Sequence, residues 1–222
     1  FGGSDGVFDL KDAYADFEVG ENGVLRVGQF KPFLVKEQYI SSGRQLAVDR
    51  SAANSAFNVD RVQGIEYMWE SDAFRVAAGF NDGANTDNTS YTSAAEADWA
   101  VYARAEFKFG GTWAATRQFT SWRGSEFTNV LGAGIHYQSG GETIGTVDTD
   151  LLLATVDYQI AANGWNAYVA GLYSSADPSM GDDVDLFGVV AQGGLFLSDQ
   201  FEIFGRYDGV FGDDEDFAED TF

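Results

Sequence analysis

The candidate functional residues are six basic side chains concentrated in one window of an otherwise acidic chain. They are Arg26, Lys31, Lys36, Arg44, Arg50 and Arg61. Only three carboxylates share this window, so it carries a net +3, while the 222-residue chain carries −22 and its remainder therefore −25. Arg and Lys gathered in a narrow, poorly hydrated passage favour anions, and low-dielectric walls strengthen the effect. The window thus predicts an electrostatic filter, although ordinary loop cations paired with Asp49, Asp60 and their neighbours are the competing interpretation.

Other reactive groups are sparse. His136 is the only histidine and cysteine is absent, so any Ser-His-Asp grouping has to use this one residue, and nothing marks a nucleophile. Asp12 and Asp16 could form a carboxylate pair for hydrolysis, but a spacing of four on a strand puts both on one face, as on a wetted surface. The acidic runs at 182–185 and 213–216 offer oxygen ligands for Ca²⁺ without EF-hand spacing, which favours solvated loops. The sequence therefore predicts no enzyme, no metal site and no cofactor.

Charge and hydropathy narrow the class of protein. A net charge of −22 disfavours nucleic acid as a partner, because such binding depends on cations facing phosphates. No stretch approaches the roughly 18 consecutive apolar residues of a transmembrane helix. If the chain enters a membrane, it must do so as a β-barrel, because only helices and closed barrels satisfy every backbone group in lipid.

Period-2 alternation predicts ten antiparallel strands, each long enough to cross a bilayer as a tilted strand of about 9–11 residues. They cover 8–19, 24–33, 61–70, 73–81, 98–109, 130–139, 150–161, 165–175, 185–197 and 200–210. In the clearest one, Trp99, Val101 and Phe107 share one face, and Arg104 and Glu106 share the other. This pattern fits a strand between lipid and a wet lumen. It fits equally a soluble surface β-sandwich that binds carbohydrate or protein partners, with its apolar face in the core.

The connections favour the barrel. Tight turns at 21–23, 71–72, 162–164 and 198–199 alternate with long polar loops at 34–60, 82–97, 140–149 and 176–184. Outer-membrane barrels show this order, with turns at one end and loops at the other. The order is kept only if 110–129 is one longer turn-side connection, so we predict that it does not span the membrane. Trp99, Tyr137 and Tyr173 lie near strand ends, as expected of an interfacial aromatic girdle.

Residues 10–57 resemble the phosphate-selective porin family of the porin O and porin P type. The similarity rests on Asp12-Ala13-Tyr14, on the run from Leu25 to Lys31, on Ser41-Ser42, on the run from Val48 to Ser51, and on Gly64-Ile65. The resemblance implies a trimeric outer-membrane barrel of about sixteen strands, with inward-folded loops that narrow the pore.

Together these observations predict an all-β antiparallel transmembrane barrel in the outer membrane of a diderm bacterium. Residues 1–222 are expected to form one barrel domain, incomplete at one or both ends, with 34–60 as the pore constriction. Passive diffusion of small hydrophilic solutes and ions is the expected function, with outer-membrane lipid and two further copies of the chain as partners. An anion- or phosphate-selective channel is the alternative, placed second because the acidic remainder of the chain repels a dianion approaching the pore.

Overall fold

The computed structural model describes residues 10–142, 147–212 and 219–221. Within them the chain is almost wholly β-structure. The strands are β1 (Ala13–Val19), β2 (Gly23–Phe30), β3 (Val62–Glu70), β4 (Phe74–Asn81), β5 (Trp99–Gly110), β6 (Thr128–Ser139), β7 (Thr149–Ala162), β8 (Trp165–Pro178), β9 (Val184–Ser198), β10 (Phe201–Gly212) and β11 (Glu219–Thr221). The helices are α1 (Lys36–Tyr39) and α2 (Ala52–Phe57), with 3₁₀ turns at Ser42–Arg44 and Ala115–Arg117.

Each strand pairs antiparallel with the next, so the sheet order is the chain order from β1 to β11. The predicted all-β antiparallel fold and its ten strands are confirmed. β2 ends at Phe30, three residues before the predicted end, because Pro32 lacks the N–H that a ladder needs. β1 begins at Ala13, later than predicted, and residues 8 and 9 lie outside the described residues, as does the acidic run at 213–216. β11, which pairs with the end of β10, was not predicted.

The two faces of the sheet are opposite in character to those of a soluble protein. On β5, Val101 and Phe107 are 40% and 43% exposed, whereas Arg104 and Glu106 are 2% and 1% exposed. The predicted division of this strand into two faces is therefore confirmed. A β-sandwich would turn its apolar face inward, so burial of the charged face is what separates this fold from that alternative. An apolar outer face suits lipid.

Aromatic residues mark the loop ends of the strands. The rings of Trp99 and Tyr137 lie 5.3 Å apart, and the Tyr137 hydroxyl donates to Asp150 at 2.9 Å. The Tyr173 hydroxyl donates likewise to Asp185 at 3.0 Å. Rings with an apolar body and a hydrogen-bonded polar tip are typical of a membrane interface. Among the described residues, no helix has the length and apolar character needed to span a membrane.

The 110–129 connection does not continue the sheet as a spanning strand, as predicted, but folds inward from the turn end. Thr116 and Phe119 are buried. The side chain of Gln159 on β7 donates to the Gln118 carbonyl, and the Phe119 ring lies 4.7 Å from that of Tyr168. This connection therefore occupies part of the interior.

Inward-facing glycines make room for side chains of the connection between β2 and β3, which also lies inside the sheet. A Cβ added to Gly188 on β9 would stand 2.5 Å from the ring of Phe57, and one added to Gly134 on β6 would stand 3.1 Å from Leu34. His136 on β6 also faces inward and is fully buried.

Candidate functional site

The connection between β2 and β3, residues 31–61, crosses the inner face of the sheet, and we call it the inner loop. Its side chains Leu34, Ile40 and Phe57 are buried. The Phe33 amide donates to Glu66 on β3 at 2.9 Å, and the Ala52 amide donates to Asp208 on β10 at 2.6 Å. One buried segment thus contacts strands seven places apart in the sheet. The wall therefore curves around the inner loop.

A short hydrogen-bonded core gives the inner loop its own shape. Ser51 caps α2, since its hydroxyl accepts from the Asn54 amide at 2.9 Å. The Ser51 amide and hydroxyl in turn donate to the two carboxylate oxygens of Glu37 at 2.7 and 2.6 Å. Burial raises the pKa of Glu37, and the hydrogen bonds from Ser51 partly oppose that rise. Arg50 braces the same turn by donating to the Glu37 and Ile40 carbonyls.

A buried ionic cluster joins the inner loop to the wall at β4, β5 and β7. Its centre is Glu106, which accepts from Lys36 and Arg104 on one carboxylate oxygen and from Arg75 on the other. Arg104 also contacts Asp157 at 2.8 Å. Glu106, Arg104 and Lys36 have no exposed side-chain surface. Charges removed from water in this way must be paired and hydrogen-bonded, and here they are.

Three of the six predicted filter cations have no carboxylate partner among the described residues. Lys31 and Arg44 make no side-chain hydrogen bond or ion pair within that part of the chain, and Arg50 contacts backbone carbonyls. Lys31 is half-buried and Arg44 is exposed. Burial, followed by the nearby charges of Arg50 and Arg61, lowers the pKa of Lys31. The charges of Asp60 and Asp12 partly oppose this shift, so Lys31 lies near two cations and two carboxylates without a direct ion pair.

The other three predicted cations are paired. Arg26 on β2 makes a bidentate bond to Asp16 at 2.8 and 2.9 Å and lies 3.7 Å from Glu66. Arg61 pairs with Asp12 at 3.1 Å and with Asp60 at 3.3 Å. Lys36 belongs to the buried cluster and faces no water. It therefore holds the loop to the wall and does not line a passage, unlike the role expected for it.

A cavity of about 900 Å³ lies between the inner loop and the wall formed by β1–β4. It reaches from Lys31 and Arg61 near the loop ends of the strands to the Gly20–Gly23 turn and Arg117 at the turn end. Six cations line it: Arg26, Lys31, Arg44, Arg61, Arg75 and Arg117. Five carboxylates line it: Asp12, Glu18, Glu21, Glu66 and Glu70. The cavity lining is thus close to neutral, in contrast to the strongly acidic chain.

Sequence reasoning missed the wall residues that shape this cavity. Arg104 and Glu106 were placed correctly on the polar face of β5, but nothing indicated that they meet Lys36, some 70 positions away. Arg117 was missed because its connection was predicted only as a non-spanning, turn-side link between strands. The one available signal was the register: Arg75 stands directly opposite Glu106 once β4 and β5 are paired.

An antiparallel meander with an apolar outer face, a charged inner face and a loop folded inside is the architecture of a transmembrane β-barrel pore. The sequence model of the family described as phosphate-selective porin O and P matches residues 2–211. The chain therefore belongs to the phosphate-selective porin O and P family. The predicted porin function and bacterial outer-membrane location are confirmed, and the family is one of channels for ions and small solutes.

Similarity beyond the family is distant. A solved structure of in-vitro folded OmpT, an outer membrane protein of Vibrio cholerae, is 14% identical in sequence, with a TM-score of 0.38. The alignment covers 90% of this chain and 72% of that one. A comparison with curated proteins finds no significant match.

Proposed function

We propose that the inner loop, including the predicted constriction 34–60, narrows the lumen and that solutes pass through the cavity beside β1–β4. Two features support this route. The loop packs through buried contacts against β5, β8, β9 and β10, whereas on the β1–β4 side a cavity remains beside the bond from the Phe33 amide to Glu66. The cavity runs from the loop end to the turn end of the wall. A porin needs a continuous path of this kind, filtered by size and by charge.

We propose further that this passage prefers small anions, including inorganic phosphate. The observation that carries the proposal is that Lys31 and Arg44 line the cavity without a carboxylate partner among the described residues. The objection that the acidic chain repels anions is weakened, because inner-wall carboxylates such as Glu106 and Asp208 are already engaged with the loop or its neighbouring cations. The passage is therefore locally positive near Lys31 and Arg44, while Glu18 and Glu21, which line its turn end, have no cation partner among the described residues.

The experiment is a reversal-potential measurement on the full-length, detergent-purified protein in a planar bilayer under a KCl gradient. We expect anion preference in the wild type, a several-fold fall in the anion-to-cation permeability ratio for Lys31→Glu or Arg44→Glu, and cation preference in the double variant. Arg123→Glu is the matched control. This substitution reverses one charge in the same way, but Arg123 lies on a turn and does not line the cavity. Cation preference in the wild type, or equal shifts in the control, would refute the anion filter.

The assembly and chemistry of the protein are also proposals. We propose a homotrimer embedded in outer-membrane lipid, a single barrel domain and function by diffusion alone, without catalysis. The exposed apolar outer face supports the lipid contact, and the resemblance to the family supports the trimer. Conductance steps in multiples of three, and a cross-linked species of three chains, are the expected results. Single steps only, with no such species, would contradict the trimer.

A further inference from the structure

One carboxylate on the wall holds several cations and the inner loop at the same time. Glu106, on β5, accepts from the Tyr39 hydroxyl at 2.5 Å, from Lys36 at 3.3 Å and from Arg104 at 2.8 Å through a single oxygen. Its other oxygen accepts from Arg75, with the Nε contact at 3.1 Å. The side chain has no exposed surface and does not line the cavity. Glu106 therefore cannot act on a solute by contact.

Its hydrogen bonds converge on one stretch of the inner loop. Lys36 and Tyr39 are the two ends of α1. Arg104, held by Glu106, donates to the Leu34 carbonyl at 2.8 Å. The positions from Leu34 to Tyr39 are thus fixed to β5 by one carboxylate, directly or through a single arginine.

This stretch continues into the cavity boundary. Phe33, Tyr39, Ile40 and the following serines line the cavity. Arg75, the fourth partner of Glu106, lines it from the wall side and lies against Phe33, with the guanidinium carbon 4.6 Å from the ring centroid. A displacement of α1 away from β5 would move the edge of the passage.

The balance of charge makes this arrangement depend on Glu106. Three cations meet in the cluster, Lys36, Arg75 and Arg104, and Asp157 contacts only Arg104 among them. Without the central carboxylate, Lys36 would be buried with no anionic partner among the described residues. Removing one partner of a buried ion pair leaves a charge that the surrounding protein cannot accommodate. The mobile partner is the loop, since the other two cations are anchored in strands.

We propose that Glu106 is a positioning residue that sets the width of the passage by holding α1 against the wall. The proposal rests on the proposed role of the inner loop as the constriction. It adds that a wall residue outside the passage, with no contact to solute, determines conductance.

The test is single-channel recording of full-length Glu106→Gln in a planar bilayer. The amide keeps the shape of the side chain and removes its charge. We expect about a twofold rise in conductance with larger open-channel current fluctuations, because a loosened constriction widens the passage. Glu202→Gln is the matched control: Glu202 is an inner-wall carboxylate on β10 that bonds Asn166 and Thr120 and not the inner loop. It should leave conductance and fluctuations at wild-type values.

A second pair of variants keeps the proposal testable if Glu106→Gln fails to fold. Lys36→Met and Tyr39→Phe each remove one loop contact and leave Glu106 paired with the two arginines, so each should give a smaller change in the same direction. Wild-type conductance and fluctuations in a folded Glu106→Gln channel, or in both milder variants, would overturn the proposal. Failure of the anion filter is a separate result, because it appears in the reversal potential of the Lys31 and Arg44 variants and not in the Glu106 conductance.

Discussion

Adding one methyl group at Gly188 should destabilise the protein through its contact with the inner loop. Gly188 lies on β9 and faces inward, opposite α2. The new Cβ would stand 2.5 Å from Phe57 Cε2 and 3.0 Å from Cδ2. Phe57 has no exposed surface, so its ring cannot swing into water. Relief of the overlap therefore requires movement of α2 or of the strand.

The expected magnitude follows from two opposing contributions. Replacing glycine by alanine where the backbone permits it stabilises a protein by about 0.4–1 kcal/mol, through the unfolded chain. Overpacking a well-filled interior costs about 1–3 kcal/mol. We therefore expect Gly188→Ala to lower the free energy of unfolding by about 1–2 kcal/mol. Gly205→Ala is the control, since a Cβ at Gly205 on β10 meets nothing within 4 Å; it should be neutral or slightly stabilising.

The assay is equilibrium unfolding in urea of protein refolded in detergent micelles, followed by tryptophan fluorescence and by the gel shift of the folded barrel. Phe57→Leu provides a second check, because a smaller side chain relieves the overlap. The double variant should then lose less stability than the two single variants added together, by about 0.5–3 kcal/mol. Equal stability of Gly188→Ala and Gly205→Ala, or strict additivity with Phe57→Leu, would refute the packing described for α2.

Two further predictions concern pH. Burial and neighbouring arginines lower the pKa of Lys31, so anion preference should decline as pH rises, at a pH below the ordinary lysine value of about 10.4. Lys31→Arg should abolish this decline in reversal-potential measurements. Identical pH profiles for the wild type and Lys31→Arg would contradict the prediction. Burial raises the pKa of Glu37, so the folded state binds this proton more tightly than the unfolded chain and gains stability as pH falls. The wild type should therefore gain stability relative to Glu37→Gln in urea titrations as pH is lowered from neutral toward the ordinary glutamate value of about 4.3. A pH-independent difference would contradict a raised pKa for Glu37.

Local features of the sequence were enough to predict an all-β antiparallel fold, whereas the burial of the charged face decided between a barrel wall and a β-sandwich. Alternation along β5 separates Val101 and Phe107 from Arg104 and Glu106, and the strand geometry alone turns such a pattern into two faces. The alternating lengths of the connections gave the antiparallel order and identified 110–129 as a non-spanning segment. These predictions depend on residues close together in the chain, so no knowledge of distant contacts was needed.

The burial and pairing of each charged residue follow from the tertiary structure and could not be predicted from the sequence. The sequence identified six cations around the inner loop, but nothing local distinguishes Lys36, buried against Glu106, from Arg44, exposed in the cavity lining. That difference depends on the path of the loop and on the register that places Arg75 opposite Glu106. Ion pairs between residues some 70 positions apart exist only after the sheet has curved around the loop. The physical reason is that burial and pairing depend on distance in space, whereas alternation depends only on neighbours along the chain.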